Sequence, residues 1–292
     1  MTQGPVTAGL VTIVIPTYND DPEHIHDSVG SALAQSYPMT EVVVVDDGST
    51  RSDSIEALAA LDGVRLITQP NSGPSAARNT GIRAGSGEFV ICLDADDLLA
   101  EELAAEAVTL LNKHADAAIA YPRMEPFGGP REVWPTRGRL TLADFAQRSA
   151  VPVGSAFRRT AWDQAGGWDE SMRTGMEDHE WWIRLLGVTG GVALPMPRAV
   201  HHYRVRPGSR SRTRPYSDDL EVTRRRILAN NPPPVHRTLL EGAWSATDSA
   251  EADAAAAWSD PWQLRRWGRA LRRRLHAERA FVTSRRRSEA GS

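Results

Sequence analysis

Two aspartates separated by one residue, Asp94-Ala95-Asp96, are the most chemically pointed feature of the chain. They follow an apolar run, Glu88–Leu93, that reads as a strand. Residues at spacing two on extended backbone face the same way, so the two carboxylates crowd each other. A hard divalent cation, Mg2+ or Mn2+, relieves such crowding and keeps substrate phosphate oxygens in its shell. The plainer alternative is a polar loop that caps the next helix. Glu177-Asp178 opens a predicted helix over about 177–186, where first-turn acids favour the helix dipole by about 0.3–1 kcal/mol. Arg78 lies in a predicted helix over 73–84 and offers a forked donor to a phosphate or a carboxylate. A salt bridge from Arg78 to Asp94 or Asp96 is compatible with that role.

The elements that must position these groups are legible along the first 120 residues. Short apolar runs at Leu10–Ile15, Glu41–Val45, Val64–Thr68, Glu88–Leu93 and Ala117–Tyr121 read as strands, the first two as buried ones. Helical patterns separate them, over 23–33, 52–61, 73–84 and 101–114. Strands alternating with helices imply an α/β fold with a mostly parallel central sheet flanked by helices. Ligands of such sheets bind at the carboxyl ends of the strands. Pro16-Thr17-Tyr18-Asn19, Asp46-Asp47-Gly48-Ser49 and Asp94-Ala95-Asp96 all fall there and are expected to converge. Residues 122–152 are rich in Pro and Gly, with Trp134 and a short helix expected over 142–148, and read as substrate loops.

Composition narrows the function classes. The 292 residues carry a net charge of −3 and one cysteine, which excludes a disulfide framework or a Cys-rich zinc module. Cys92 falls within a strand and is expected to be buried and inert. No apolar run is long enough to span a membrane, and residues 1–10 lack the pattern of a secretory signal. A cytoplasmic protein is therefore expected. From Trp262 to Ser292 ten arginines face two glutamates, a balance of +8, so the remainder carries −11. An acidic body argues against nucleic acid as a partner.

The ordered motifs resemble family 2 glycosyltransferases of the A-type, nucleotide-sugar-binding fold. The matching pieces are Val11–Asn19, Val42–Ser49, Asn71–Gly81, Gly87–Asp97, Gly154–Arg159, Gly166–Glu170 and Glu177–Leu185. Together they cover about residues 10–215. The resemblance implies a metal-dependent, inverting transfer of a hexosyl or hexosaminyl group from a nucleotide-sugar, UDP-linked, to an acceptor hydroxyl. It places Pro16 and Tyr18 beside the nucleotide base and a carboxylate, Asp47 with Asp46 second, on the base imide. Asn71 and Arg78 flank the donor. Asp94 contacts ribose or sugar, and Asp96 holds Mg2+ or Mn2+. Asp97 is expected to cap a helix. Asp178 is the general base, and its place in a first helical turn is expected to lower its pKa. Glu177 orients its neighbours, and Trp181 either packs the core or lines the acceptor site.

The segment His201-His202-Tyr203-Arg204-Val205-Arg206 departs from the Y-R-x-H-x-x-S pattern of many relatives. Arg206 stands where the late His would be. An Arg cannot ligate a metal but can pair with a diphosphate, so Arg204, Arg206 and Ser209 read as a diphosphate clamp. His202, or His201, is the shifted candidate for a metal ligand.

The organisation expected is a donor-binding half over 1–121, an acceptor-binding half over 122–230 and a helical, Arg-rich extension over 231–292. In that extension Leu264, Trp267, Leu271, Leu275 and Val282 recur at helical spacing among arginines. Such a helix suits an anionic membrane surface, which would place the protein peripherally at the inner membrane face. The acceptor is open among a small molecule, a surface or wall glycan, a lipid-linked glycan and a peptide. Two rival functions are a sugar-nucleotide-binding scaffold without turnover and a nucleotidyltransferase. Retention of Asp94, Asp96 and Asp178 weighs against the first. Pro16-Thr17-Tyr18-Asn19 is not the Gly-rich basic loop that the second requires.

Overall fold

The computed structural model describes residues 5–129, 137–146, 149–173, 175–206, 216–243 and 245–246. Trp134, Arg148, Ser209 and the stretch 262–292 lie outside them. The chain divides into two compact units, Met1–Leu240 and Glu241–Ser292. Among the described residues the first holds an eight-stranded mixed sheet.

Strand β1 (Thr7–Thr17) leads to α1 (Pro22–Leu33), β2 (Thr40–Asp46), α2 (Ser52–Ala59), β3 (Arg65–Thr68), α3 (Pro74–Ala84) and β4 (Gly87–Cys92). The two-residue β5 (Leu98–Leu99), α4 (Leu103–Lys113) and β6 (Ala117–Phe127) follow. A 3-10 turn (Leu142–Phe145) precedes β7 (Ala156–Arg158), α5 (Arg159–Ala165), α6 (Glu177–Thr189), β8 (Val192–Arg204) and α7 (Tyr216–Asn230). The strand order is β3-β2-β1-β4-β7-β6-β8-β5. Strands β1 to β4 pair in parallel, as do β6 and β8, whereas β7 runs antiparallel to both β4 and β6.

The apolar runs of β1, β2 and β4 are buried on both faces because side chains alternate across the sheet, whereas β3 at the sheet edge stays largely exposed. Val42 and Val44 join Val11, Ile13, Phe89 and Ile91 on the face covered by α1, α2 and α4. Val43 and Val45 join Val14, Val90 and Cys92 on the face covered by α3, α5 and α6. Gly81 lets α3 lie directly on the sheet, since a β-carbon there would collide with the Val14 and Val45 side chains. Cys92 is fully buried, and burial raises its thiol pKa to about 12, which leaves it inert at neutral pH.

Two elements depart from expectation. Strand β6 runs on to Phe127, although Pro122 and Pro126 suggested loop. Among the described residues its far half pairs only with β8, while β7 reaches no further than Ala120, so the missing prolyl N–H groups cost no ladder bond on that side. The expected helix near Leu142 is a single 3-10 turn closed by a reciprocal Thr141–Asp144 capping box.

Strand β1 sits between β2 and β4, so the strand order reverses there and a crevice opens beyond its carboxyl end. Loops after β1, β2 and β4 meet at this crevice. Strand β5 pairs antiparallel with β8, Leu98 with His202 and Leu99 with His201, which ties the segment after Asp94-Ala95-Asp96 to the end of β8.

Candidate active site

The loop after β1 is laced to the loop after β2. Asn19 accepts from the Thr50 and Arg51 backbone N–H groups at 2.7 and 2.9 Å, and its own N–H donates to Ser49 Oγ. Asn19 takes a left-handed conformation, φ 54°, to do so. Pro16 lies within β1, which runs on to Thr17, and Tyr18 projects from the crevice rim with an exposed ring. Asp47 is buried, and its two oxygens accept from Gln69 Nε2 and from the backbone N–H groups of Ser72 and Gly73. It therefore shapes the β3–α3 loop that carries exposed Asn71. Asp46 accepts from the Ser49 N–H in a turn. Gly48, φ 78°, brings this turn so close to the Asn71 backbone N that a β-carbon would stand 2.9 Å from it.

Arg78 joins the two halves of the site. Its guanidinium donates to Asp94 Oδ1 at 2.8 Å and to Glu177 Oε1 at 3.0 Å. It also lies 4.6 Å from the centre of the Trp168 ring. Burial alone would lower its pKa, but Asp94 and Glu177 reverse that and hold it raised. Trp168 is stacked in turn on Trp181, with ring centroids 5.2 Å apart. Trp181 is fully buried among Phe157, Trp168 and Trp182, so the acceptor-lining option for Trp181 is corrected: the ring packs the core and backs Trp168, which lies against Arg78. Asn79, buried on α3, fixes the Trp168 turn by bonding its backbone N–H and C=O.

Asp178 follows Glu177 on α6 and is partly buried. Its pKa is pushed up to about 6, first by burial and then by the Glu177 charge; the His179 N–H, Arg78 and Ser149 act the other way. The expected lowering by the helix N-terminus is thus corrected, because desolvation beside a second carboxylate outweighs the dipole. Met176, immediately before the pair, adopts a left-handed conformation with φ 57°.

After β4, Asp94, Asp96 and Asp97 have different surroundings. Asp94 keeps 38% of its side chain exposed while it pairs with Arg78. Asp96 pairs with Arg206 at 2.6 Å and is 18% exposed. Burial first, then Asp97 and Asp94, push its pKa to about 7, against the pull of Arg206. Asp97 caps no helix, contrary to expectation. It is buried, pairs with His201 Nε2 at 2.8 Å and accepts from the Arg204 backbone N–H. His201 is therefore committed to Asp97, with Gly154 packed against its ring.

Arg204 does not reach for a diphosphate either. Its side chain donates to the Asp96 carbonyl and to Asp27, and it stacks 4.6 Å over the Phe127 ring. Arg204 is a brace for the Asp96 loop. His202 sits edge-on to Phe127, and its carboxylate neighbours are Glu125 and Glu102, so the structure does not bring it to Asp96.

Asp20 was missed by sequence reasoning. It accepts from Thr17 Oγ1 and the Tyr18 N–H and lies 3.9 Å from Arg206, and burial raises its pKa. In the sequence it merges with Asp21 into an ordinary acidic start for α1, so nothing marked it out.

Among the described residues no group of three or more His, Cys, Asp or Glu is arranged to hold a metal. A magnesium-like ion needs only one or two carboxylates plus substrate phosphates. Asp96 fits that need: burial and three neighbouring carboxylates raise its proton affinity, and a guanidinium stands in as its cation.

The profile of the family described as glycosyl transferase family 2 matches residues 12–173, more than half of the chain. The chain belongs to glycosyl transferase family 2. A Rickettsia bellii protein named as an uncharacterized glycosyltransferase is 38% identical over 106 residues, 36% of this chain and 15% of that protein. A Haemophilus influenzae protein of the same name is 37% identical over 98 residues, 32% of this chain and 38% of its own length. The chain thus spans well under half of these relatives. Among solved structures, S. aureus TarS 1-349 in complex with UDP-GlcNAc superposes with a TM-score of 0.61 at 21% identity. That match covers 76% of this chain and 66% of TarS 1-349 and shows that the fold is shared.

Proposed function

We propose that this protein transfers a sugar from a nucleotide-sugar donor, UDP-linked, to an acceptor hydroxyl with inversion at the anomeric carbon. The observation that carries the reading is the Arg78 bridge, which joins Asp94 at the donor crevice to Glu177, the neighbour of Asp178. Donor-side and acceptor-side carboxylates thereby share one guanidinium. The UDP-GlcNAc complex of TarS supports a UDP-sugar.

In the proposed reaction Tyr18 and Pro16 border the base, and Asp47, which also shapes the β3–α3 loop, is the carboxylate beside the base imide. Asp94 orients ribose or sugar. Asp178 takes the proton from the acceptor hydroxyl, whose oxygen attacks the anomeric carbon from the face opposite the diphosphate. The bond from that carbon to the diphosphate oxygen breaks, and the nucleoside diphosphate leaves with the bonding pair. Asp96 would hold Mg2+ or Mn2+, which neutralises charge on the leaving group when bound. General base catalysis by Asp178 contributes about 10²–10⁴-fold.

A screen of nucleotide-sugars for release of nucleoside diphosphate, with Mn2+ and with chelator, tests the reading. Release from a UDP-sugar that chelator suppresses is the expected result. Release from no donor would favour a binding protein instead. No helix among the described residues is long and apolar enough to cross a membrane. For the basic segment 262–292 an anionic membrane surface is the partner we propose, with a lipid-linked or surface glycan as acceptor.

A further inference from the structure

Arg206 occupies an unusual place for a residue read as a diphosphate ligand. It is not directed into an open crevice but closes on Asp96 at 2.6 Å, with Asp20 3.9 Å from the same nitrogen. Asp94 and Asp97 stand two residues and one residue away from Asp96 in sequence, so Arg206 offsets a locally dense negative charge.

The chain just before Arg206 is held firmly. Arg204 is bound through its backbone N–H and both arms of its side chain, and the Val205 N–H donates to the Phe127 carbonyl at 2.8 Å. Arg206 is the first residue beyond these anchors. Its side chain is 40% exposed, against 15% for Arg204. Rotation of its long side chain needs no break in the strand ladder.

We propose that Arg206 is an exchangeable counter-ion: it neutralises Asp96 and Asp20 in the empty enzyme and gives way when the donor's cation arrives, then pairs with the donor diphosphate. The inference rests on the reading that Asp96 holds that cation. A divalent ion and a guanidinium cannot share the Asp96 Oδ2 lone pairs without repulsion, so one displaces the other. The displaced guanidinium finds a diphosphate beside it, the partner for which its fork is best shaped. The exchange would keep metal affinity low until donor is present, which couples the two binding events.

The test is Mn2+ binding to the full chain without nucleotide, read by the electron paramagnetic resonance signal of free Mn2+. Arg206→Ala and the bulkier Arg206→Gln are expected to bind Mn2+ about five-fold more tightly than the wild type, the scale of a partly exposed ion pair. Both are expected to bind UDP more weakly, by about five-fold or more, at saturating Mn2+. A residue that merely braces the loop would move both affinities the same way, so opposite signs identify the exchange. Unchanged or weaker Mn2+ binding in both variants overturns the proposal. Asp96→Asn separates the two ideas. If it abolishes Mn2+ binding, the cation site stands and the Arg206 variants decide. If Mn2+ binding survives in Asp96→Asn, the cation site is elsewhere and the exchange falls with it.

Discussion

Asp178→Asn should stabilise the protein at neutral pH while it abolishes transfer. The carboxyl of Asp178 moves from an ordinary 3.8 to about 6, with burial as the largest cause and Glu177 next. A carboxyl whose folded-state pKa is raised favours the fold below its unfolded pKa. That contribution is lost as pH rises through the folded value. The full displacement corresponds to about 3 kcal/mol at pH 7, and partial exposure of the residue reduces it to about 1–3 kcal/mol. Asparagine carries no charge to desolvate, so the variant should gain that amount at pH 7.5 and almost nothing at pH 4. For a chain of this size the gain is about 3–8 °C in Tm. The assay is thermal unfolding of wild type and variant at the two pH values in chelator, without donor. A stability difference that does not change between pH 4 and 7.5 would refute the burial reasoning. In parallel, wild-type kcat/KM should rise with pH through about 6 as the base ionises. Transfer by Asp178→Asn at more than about a hundredth of the wild-type rate would refute its role as base.

Arg78→Met leaves Asp94 and Glu177 without their shared cation and should cost about 2–3 kcal/mol in chemical denaturation, less than a fully buried pair because Asp94 is 38% exposed. Arg78→Lys should recover part of that stability but not donor affinity, because one ammonium cannot span both carboxylates. Gly81→Ala should lower stability by about 1–3 kcal/mol through collision with Val14 and Val45, with donor KM unchanged in the folded fraction. Removal of residues 262–292 should lower binding to vesicles containing anionic lipid, since basic residues contribute about 1 kcal/mol each near such a surface. Equal vesicle binding by the shortened chain would exclude the segment as the anchor.

Strands β1, β2 and β4 were legible because their apolar runs are buried on both faces and carry no polar alternation to confuse them. Val42–Val45 shows this: alternate valines enter the two opposite cores. Strand β6 beyond Tyr121 was hidden by Pro122 and Pro126, since local chain stiffness cannot reveal that β7 stops short of the affected edge. The same limit governed the site. Asp94, Asp96, Arg78 and the Glu177-Asp178 pair stood out as polar groups at the ends of apolar elements.

Residue types and spacing determined which groups would face the crevice, because strand period and helix starts are local properties. The partner of each group was decided only by tertiary structure. Arg204 and Arg206 are two residues apart, yet one braces the Asp96 carbonyl and the other pairs with the Asp96 carboxylate. Asp97, beside Asp96, turns to His201, 104 positions away in sequence. The pKa of Asp178 went the opposite way from the dipole's pull because burial beside Glu177 depends on how α6 packs. Charge, desolvation and pairing act over a few ångströms through space. The sequence alone named these groups, Asp20 excepted, and the fold set which of them share those few ångströms.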